Sequence, residues 1–365
     1  MNNTFEVIII GGGAAGLMLA RELGAYKCKT LVLERKDNLL EFSFNTLGSF
    51  INLNDFNLSE NVVAQKIDTA VIHSKNFKKK LKINTYILDK KKVHEEILES
   101  IDRDFVKISL GINVIDITKD KEGKYSSVID KRGNEYKAKI FVDASGTNGI
   151  ISKKVGLRKE KIDLATGVEY NVKYIGNSNE AHLLIGKAYQ GGYGWIFPLK
   201  DSRAIVGFGT YDKKMIKGLK DRLNQIIELP NIKEIIIKDN DKVEGGSIPL
   251  TPVLDKFIHH NLVCVGDSVS QVNPIVGEGY KFIFESALMA SKFISESLKK
   301  NDLNYLSNYE VDWRKRFLLS YKRSKKAQGR IYKYSKSDFL TNIGVLLFKL
   351  RSNKKNVSTL SGEYE

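Results

Sequence analysis

The feature that most constrains the fold of this 365-residue chain is a glycine-rich turn close to its start. An apolar strand pattern at 7–10 leads into Gly11-Gly12-Gly13-Ala14-Ala15-Gly16, and a second strand pattern at 30–33 ends in Glu34-Arg35. In such units the first glycine allows the tight turn, the second lets the backbone approach a pyrophosphate, and the third lets the helix pack on the strand. Helix-terminal amides favour phosphate, and the acid accepts from ribose hydroxyls. The sequence therefore predicts an α/β fold with dinucleotide contacts at Gly11, Gly13, Ala15, Gly16, Glu34 and Arg35.

The formal net charge of +16 is concentrated towards the C-terminus. Between Trp313 and Lys336 there are ten Lys or Arg residues and no Asp or Glu, and an apolar segment at 339–348 follows, trailed by Lys349, Arg351, Lys354 and Lys355. Basic clusters around a short apolar helix are typical of proteins that bind anionic membrane surfaces. A solvated helix in a lysine-rich protein is the alternative interpretation. No nucleic-acid-binding motif accompanies the charge, so we predict membrane contact through 313–355 and no nucleic-acid partner.

Cysteine content and hydrophobicity indicate the compartment. Cys28 and Cys264 form neither a disulfide framework nor a metal-binding pair, which suits a reducing cytoplasm. No signal-peptide pattern precedes the first strand, and no apolar run reaches the roughly 18–20 residues that span a bilayer. We therefore expect a cytoplasmic protein, peripheral on the membrane at most, with no metal site.

Periodicity divides the chain into three parts. A middle section with alternating strands, as in an antiparallel sheet, lies between a strand-to-glycine turn at 143–146 and another at 266–267. The predicted strands are 7–10, 30–33, two pieces within 106–117, a hairpin at 126–142, then 167–174, 181–188, 195–199, 204–211 and 262–265. The predicted helices are one that follows the first glycine turn and ends near Gly24, then 90–101, 215–227 and 279–298, and 39–58 is predicted as loop or short elements. The predicted domains are a discontinuous cofactor domain (1–160 and 259–300), an inserted substrate domain (161–258) and a basic helical region (301–365).

Three apolar strand patterns end in turns suited to phosphate or sugar. Besides the first turn, these are Asp143-Ala144-Ser145-Gly146 and Gly266-Asp267, the latter followed by Pro274-Ile275-Val276-Gly277-Glu278-Gly279. An Asp at a strand's end can accept from a ribityl hydroxyl, and a glycine turn that opens a helix offers amides to a negatively polarised ring edge. A flavin needs both, because its reduction places negative charge near one edge of the ring.

These residues resemble the flavoprotein superfamily of p-hydroxybenzoate hydroxylase and, within it, the geranylgeranyl reductase family, over about residues 5–300. The narrower likeness is Gly192-Tyr193-Gly194-Trp195-Ile196-Phe197-Pro198, which is similar to the Tyr-x-Trp-x-Phe-Pro signature of prenyl reductases. The resemblance implies a Rossmann-like FAD-binding domain with an inserted antiparallel-sheet substrate domain and a helical C-terminal region. Many relatives carry Arg where Lys90 stands here, and archaeal members have a cysteine in the region that reads Ser43 to Gly48.

The resemblance also implies residue roles. The first turn and Glu34 would hold the adenosine diphosphate half of FAD, and Val114 would contact adenine through its backbone. Gly266 and Asp267 would hold the ribityl chain, while Pro274, Gly277 and Gly279 would abut the flavin ring. The predicted substrate residues are Tyr193, Trp195, Phe197 and Pro198, because aromatic walls suit an isoprenoid chain.

The implied activity is FAD-dependent reduction of carbon–carbon double bonds in a geranylgeranyl or other prenyl lipid. The alternative is a monooxygenase or halogenase that acts on an aromatic substrate, since flavin-dependent halogenases carry a related Trp-x-Trp-x-Ile-Pro segment. A third possibility is a flavoprotein that binds FAD for structure or signalling. No second nucleotide turn follows a strand, so NAD(P)H bound transiently or a ferredoxin-type carrier would supply electrons. The sequence assigns no proton donor and no oligomeric state.

Overall fold

A computed structural model describes residues 5–159, 162–250 and 253–364. Residues 1–4 and the predicted domain boundary between 160 and 161 lie outside these ranges. The strands are β1 (Phe5–Ile10), β2 (Thr30–Leu33), β3 (Thr46–Ser49), β4 (Val63–His73), β5 (Lys78–Asp89), β6 (Val106–Ser109), β7 (Val114–Lys119), β8 (Tyr125–Asp130), β9 (Glu135–Asp143), β10 (Leu164–Tyr174), β11 (Glu180–Leu184), β12 (Gly192–Leu199), β13 (Arg203–Thr210), β14 (Ile236–Ile237), β15 (Val243–Pro249), β16 (Ile258–His259) and β17 (Leu262–Cys264). The helices are α1 (Ala14–Ala25), α2 (Lys90–Glu99), α3 (Ile150–Lys154), α4 (Lys213–Ile216), α5 (Leu219–Ile227), α6 (Pro230–Lys233), α7 (Tyr280–Lys300), α8 (Ser307–Tyr334), α9 (Asp338–Leu350) and α10 (Asn353–Ser361).

The first sheet has the order β16-β17-β9-β1-β2-β6 and is extended by the hairpin partners β8 and β7. Strands β17, β9, β1, β2 and β6 run parallel to their neighbours. Strand β2 is buried along its whole length, as expected for a parallel strand covered on both faces. This arrangement confirms the predicted Rossmann-like α/β fold.

The carboxyl ends of β1, β9 and β17 lie side by side. Ile10 pairs with Asp143, and Cys264 pairs with Asp143 from the other side. The three predicted glycine turns therefore meet at one edge of the sheet, where open α/β sheets bind their ligands. Helices α1 and α7 pack against each other beside this edge.

The second sheet has the order β14-β10-β13-β12-β11-β4-β5-β3, and β15 also pairs with β10. Its pairs are antiparallel except for β4 and β11, which run parallel. The sequence patterns contain no prediction for the long hairpin of β4 and β5, and β3 lies within the segment predicted as loop or short elements. Strands β3–β5 thus join the second sheet although they fall within the range 1–160 predicted for the cofactor domain.

Two predicted elements differ from the patterns, one by being divided and one by ending early, and glycine explains both differences. The helix predicted at 215–227 is two helices, because Gly218 adopts a φ of +92° between α4 and α5. The strand predicted at 181–188 ends at Leu184, just before Gly186 with a φ of +139°. A positive φ is readily reached only by glycine and interrupts either type of element.

The C-terminal region forms three helices that lie against both sheets. Trp313 and Phe317 of α8 are fully buried against α7, and Trp313 donates to the hydroxyl of Ser286. Helix α9 buries Val345 against β5 and neighbouring strands but leaves Leu347 and Leu350 exposed. Within the described ranges, no helix is both long and apolar enough to cross a bilayer.

Candidate functional site

The first turn is built by glycines that admit no side chain. Gly11 has a φ of +107°, and a Cβ there would lie 2.4 Å from the carbonyl oxygen of Ala144. A Cβ on Gly16 would lie 1.9 Å from the carbonyl oxygen of Gly11. A Cβ on Gly13, by contrast, would meet nothing within 4 Å. The turn is therefore tight against β9 and α1 and open above Gly13.

The acid at the end of β2 is held by backbone amides. Glu34 is buried, and its carboxylate accepts from the amides of Gly12 at 2.6 Å and Lys36 at 2.9 Å. Each carboxylate oxygen keeps a further lone pair for another donor. Glu34 is thus fixed beside the turn, where the sequence predicts a ribose contact.

A cavity of about 270 Å³ lies over this turn. Its wall includes Gly13, Ala15, Glu34, Gly146, Asp267, His94 and Tyr280. Arg35 is exposed, and Val114 is buried in β7 opposite Asp130; neither lines this cavity. The backbone amide of Ile112, two residues before Val114, donates to the carbonyl of Glu34, which places that chain segment beside β2.

Asp267 carries a buried carboxylate oxygen without a partner. It follows β17 in a short 3₁₀ turn, and its Oδ1 has no hydrogen bond within the described part of the chain. Burial raises the pKa of Asp267 to about 6, although the positive charges of Arg158 and Lys90 oppose the rise. Since buried polar atoms are normally satisfied, this acceptor fits a donor supplied by a ligand.

The Asp of the middle turn behaves differently. The carboxylate of Asp143 accepts from the amides of Ser145, Ile151 and Ser152. The hydroxyl of Ser145 also donates to it and accepts from the amide of Ile150. Asp143 therefore stabilises its own turn and the start of α3, and this turn presents Gly146 to the cavity instead of an acid.

The Pro-x-x-Gly-x-Gly block leads into α7 with little room for side chains. Gly277 has a φ of +70°, and a Cβ on it would lie 2.6 Å from Ile248 Cδ1. Pro274, Gly277 and Gly279 line a second cavity. The free amides and positive dipole end of the 21-residue α7 lie at this point.

This second cavity, of about 340 Å³, is mainly apolar. Tyr193, Trp195 and Phe197 of β12 share one strand face and line it, together with aliphatic residues from β5, β11 and the C-terminal helices. The rings of Trp195 and Phe197 lie 6.3 Å apart and nearly parallel, and the hydroxyl of Tyr193 donates to the carbonyl of Val276 at 2.5 Å. Pro198 lies on the opposite face, because successive side chains of a strand alternate.

The two cavities meet. Asp267, Tyr280 and Ile283 line both of them. One elongated ligand could therefore run from the glycine turn to the aromatic wall.

His94 is a site residue that the sequence reasoning missed. Its Nε2 lies 2.8 Å from the hydroxyl of Tyr280, and burial lowers the pKa of His94 to about 3, so the ring is neutral. In the sequence His94 is separated from Tyr280 by 186 positions. No sequence motif contains both residues. Only the packing of α2 against the start of α7 brings them together.

Titratable groups inside the apolar cavity were also missed. Glu169 of β10 accepts from Trp195 Nε1 at 3.0 Å, and its other oxygen is buried without a partner within the described ranges. Burial raises the pKa of Glu169 to about 8. Glu278 accepts from Ser49 Oγ and Phe50 N, and burial raises its pKa to about 7. An acid within a strand pattern gives no sequence signal that separates a cavity position from a surface position.

Lys90 lies at the start of α2 and faces the same cavity. Burial lowers the pKa of its ammonium group, while Glu169, Glu244 and Asp267 oppose the change. No cluster of three or more His, Cys, Asp or Glu residues suited to a metal occurs within the described part of the chain. Lys90 shares this cavity with the carboxyl groups of Glu169, Asp267 and Glu278.

Comparison with known proteins places this arrangement among named families. Residues 6–340 match the model of the lycopene cyclase protein family. The digeranylgeranylglycerophospholipid reductase of Methanococcus aeolicus is 28% identical over 346 residues, covering 87% of this chain and 84% of that protein. The reductase of the same name from Methanocaldococcus jannaschii is 26% identical over 347 residues, covering 89% and 87%. These relatives confirm the resemblance to geranylgeranyl reductases.

Solved structures share the fold. A geranylgeranyl bacteriochlorophyll reductase-like protein from Thermoplasma acidophilum superimposes with a TM-score of 0.82 at 22% identity, covering 92% of this chain and 89% of that one. The flavin-dependent brominase Bmp2 gives a TM-score of 0.77 at 17% identity, covering 99% and 94%. The fold is thus common to proteins with different reactions.

Proposed function

Because the chain belongs to the lycopene cyclase protein family, we propose that it is an FAD-dependent reductase that hydrogenates carbon–carbon double bonds of a geranylgeranyl or other prenyl lipid. The observation that carries the proposal is the meeting of the two cavities at Asp267, Tyr280 and Ile283. One cavity has the glycine turn and acid of a dinucleotide site, and the other has apolar walls. The relatives named as reductases of a digeranylgeranyl lipid support the same chemistry.

The residues of the first cavity fit FAD. The open side of Gly13 admits a pyrophosphate, Glu34 is positioned for a ribose, and the unpartnered Oδ1 of Asp267 suits a ribityl hydroxyl. Gly277 and Gly279 lie where the ring would approach, and the N-terminal end of α7 would stabilise negative charge there. Ala15, Gly11 and Gly16 shape the turn, and we retain Arg35 and Val114 as predicted contacts of the adenosine end.

The residues of the second cavity fit a polyprenyl chain. Such a chain offers apolar area and π faces, and Tyr193, Trp195 and Phe197 present aromatic surfaces to it. Reduced FAD would supply the two electrons that saturation of a double bond requires. The chain's own residues would align the double bond and exclude water. An unactivated alkene needs this alignment and exclusion because it accepts a hydride poorly.

The test is anaerobic. The purified holoenzyme is reduced with dithionite, excess reductant is removed, and a geranylgeranyl lipid is added while the flavin absorbance is followed. We expect reoxidation, with the lipid gaining two hydrogens in mass for each bond reduced. A flavin that stays reduced until air is admitted would contradict the proposal and favour oxygen-using chemistry on an aromatic substrate.

The reaction also requires an electron donor that reduces the flavin. Among the described residues, neither cavity offers a second glycine turn for a nucleotide, so we propose that NAD(P)H binds transiently or that a ferredoxin-type carrier reduces the flavin. Stopped-flow reduction with NADH, NADPH and a reduced ferredoxin distinguishes them. Reduction by none of the three at a rate matching turnover would contradict this proposal.

We also propose that helix α9 docks on an anionic membrane surface. Its outward side, here called the outer face, carries the exposed residues Phe339, Leu340, Ile343, Leu346, Leu347 and Leu350. Leu350 is 84% exposed, Phe339 71% and Leu347 56%, and exposed Lys336, Lys349 and Arg351 flank the helix. An apolar helical face rimmed by basic residues is typical of interfacial helices. Docking there would bring the cavity to a lipid substrate, because Val345 on the inner side packs with Leu360 of the cavity wall.

Vesicle sedimentation tests this docking. The protein should bind vesicles that contain phosphatidylglycerol more tightly than pure phosphatidylcholine, and added salt should weaken the binding. The double variant Leu347→Ser, Leu350→Ser should bind at least about tenfold more weakly, since each buried Leu contributes about 1.5–3 kcal/mol.

The matched control is Ile175→Ser, Ile237→Ser, which removes two exposed apolar side chains at the β14 edge of the second sheet. This variant should bind like the wild type. Equal losses in both variants would show that α9 is not the docking element.

A further inference from the structure

We propose that Glu169 is the acid that gives the second hydrogen, as a proton, to the double bond during reduction. The inference rests on the proposed reductase activity and deepens it. It assigns the proton donor, for which the sequence offers no motif.

The position of Glu169 carries the argument. It projects from β10 into the apolar cavity, beside the aromatic wall of β12. Its Oε2 accepts from Trp195 Nε1 at 3.0 Å, which fixes the carboxyl group in place. Its Oε1 is buried and has no partner within the described ranges. A fixed carboxyl group with one unoccupied oxygen in a substrate cavity has the geometry of a general acid.

The surroundings keep this carboxyl group protonated. Burial and, to a smaller extent, the like charge of Glu244, directly opposite on β15, raise its pKa to about 8. The Trp195 hydrogen bond and the ammonium of Lys90 oppose the rise. Tyr193 faces the same carboxyl group, but burial raises the pKa of its phenol, so it is neutral. Since the raised pKa lies above neutrality, Glu169 carries a proton to donate at pH 7.

The other acids of the cavity are less suited to this task. Glu278 accepts two hydrogen bonds on one oxygen, from Ser49 Oγ and Phe50 N, which favour its ionised form. Asp267 lies where the ribityl chain is proposed to bind, and its pKa of about 6 leaves it mostly ionised at pH 7. Glu169 alone among these three both faces the aromatic wall and has a pKa above 7.

Atoms and electrons balance in this step. The double bond would accept two electrons and one hydrogen, as a hydride, from the reduced flavin, which would thereby be oxidised. The O–H bond of Glu169 breaks, its proton forms the second new C–H bond, and Glu169 is left as a carboxylate. A proton from water restores the acid after the saturated lipid leaves.

The first experiment uses the holoenzyme of the variant Glu169→Gln. Glutamine keeps the shape and can still accept from Trp195 but cannot donate the proton. We expect a normal flavin spectrum, normal lipid binding and a turnover rate at least about 100-fold lower, the usual contribution of a general acid. The control Glu180→Gln removes a carboxylate of the same sheet that pairs with Lys80 outside the cavity and should react like the wild type.

The second experiment reads the carboxyl group directly. Infrared difference spectra of holoenzyme labelled with ¹³C-glutamate should contain a protonated-carboxyl band that disappears with a midpoint near 8. The band should be missing in Glu169→Gln. In Trp195→Phe the midpoint should rise, because the hydrogen bond that lowers the pKa of Glu169 is lost, and the loss of turnover at high pH should move with it.

The outcomes separate the two proposals. If the wild type reduces no prenyl lipid, the proposed function fails and the role of Glu169 fails with it. If the wild type is active and Glu169→Gln retains its rate, only the assignment of the proton donor is overturned. That assignment is equally overturned if Glu278→Gln, and not Glu169→Gln, removes activity and the titrating band.

Discussion

At the residue scale, Asp267 shows how a binding site can oppose stability. Its carboxylate is buried, one oxygen has no partner in the described chain, and its pKa is raised to about 6. In the protein without cofactor, Asp267→Asn should therefore raise the free energy of unfolding at pH 7, by about 1–3 kcal/mol. The same substitution should weaken FAD binding, because the amide is a poorer acceptor for a hydroxyl.

Urea unfolding of the stripped protein and fluorescence titration with FAD measure the two effects. The sign follows from the raised pKa, because folding disfavours the charged form of Asp267. The increase in the free energy of unfolding that Asp267→Asn produces should therefore shrink as the pH falls through about 6, where Asp267 itself becomes neutral. A variant that loses stability while keeping FAD affinity would contradict both parts.

Gly11 and Gly13 form a matched pair for a second prediction. Gly11→Ala places a Cβ 2.4 Å from a backbone oxygen at a φ of +107°, so it should cost at least about 2 kcal/mol of stability. Gly13→Ala meets nothing within 4 Å and has an ordinary φ of −81°. It should leave the thermal midpoint of the stripped protein nearly unchanged yet weaken FAD, because the new methyl group occupies the side open to a pyrophosphate.

Thermal unfolding and FAD titration of the two variants distinguish the structural role of Gly11 from the cofactor-binding role of Gly13. Equal stability of both stripped variants would show that the close approach at Gly11 relaxes easily. Undiminished FAD affinity of Gly13→Ala would place the pyrophosphate elsewhere.

At the scale of elements, α9 has two faces with different expected roles. Val345 is 1% exposed and packs on the second sheet. Val345→Ala should lower the free energy of unfolding by about 1–3 kcal/mol through lost burial and a cavity. It should leave vesicle binding intact. The double variant Leu347→Ser, Leu350→Ser should weaken vesicle binding and leave the free energy of unfolding unchanged.

Chemical unfolding and vesicle sedimentation of both variants, side by side, check this division. If Val345→Ala lowers vesicle binding as much as the outer-face variant, the helix does not act as two independent faces. If neither variant alters stability, α9 is not anchored on the sheet.

The elements also show what the sequence could predict. The parallel strands, the three glycine turns and the aromatic strand have local patterns, and each forms where its pattern indicates. Residues 80–84 of β5 alternate polar and apolar, but β4 has no such alternation. The place of both strands in the second sheet depends on the pairing of β4 with β11, more than one hundred residues later. Such pairing is a tertiary effect that periodicity does not contain.

The candidate site divides in the same way. The glycines and Asp267 were predictable because dinucleotide chemistry imposes their spacing. Glu169 and His94 have no such spacing. Lys90 and Glu278 stand at positions that the sequence comparison noted, but those positions assigned them no chemical role. The surroundings of all four depend on burial in the two cavities, which only the assembled fold creates.

At the scale of the whole molecule, ion pairs attach the C-terminal segment to helices α7 and α8. Glu363 pairs with Arg316 and Lys281. Burial would raise the pKa of Glu363, but hydrogen bonds from these two cations lower it below its ordinary value of 4.5. Its stabilisation is therefore present above pH 4.5 and is lost as the pH falls through the lowered value.

Glu363→Gln should accordingly cost about 1 kcal/mol at neutral pH. The difference from the wild type should vanish in acid, where both side chains are neutral. Unfolding curves across a pH series measure this. A pH-independent difference would indicate lost packing instead of lost charge pairing.

The order of strands in the first sheet has a consequence for how the protein is made. Strand β1 pairs with β9, and β9 with β17, so partners in the finished sheet are separated by more than one hundred residues of chain. These long loops lose conformational entropy on closing before the native contacts stabilise them, and this cost slows folding. A nascent chain that has emerged only through β13 holds the Gly11 turn but neither Asp267 nor the helix start at Tyr280. We therefore expect cofactor loading to be a late event of synthesis, after an interval in which the apolar edge of β9 depends on chaperones for protection.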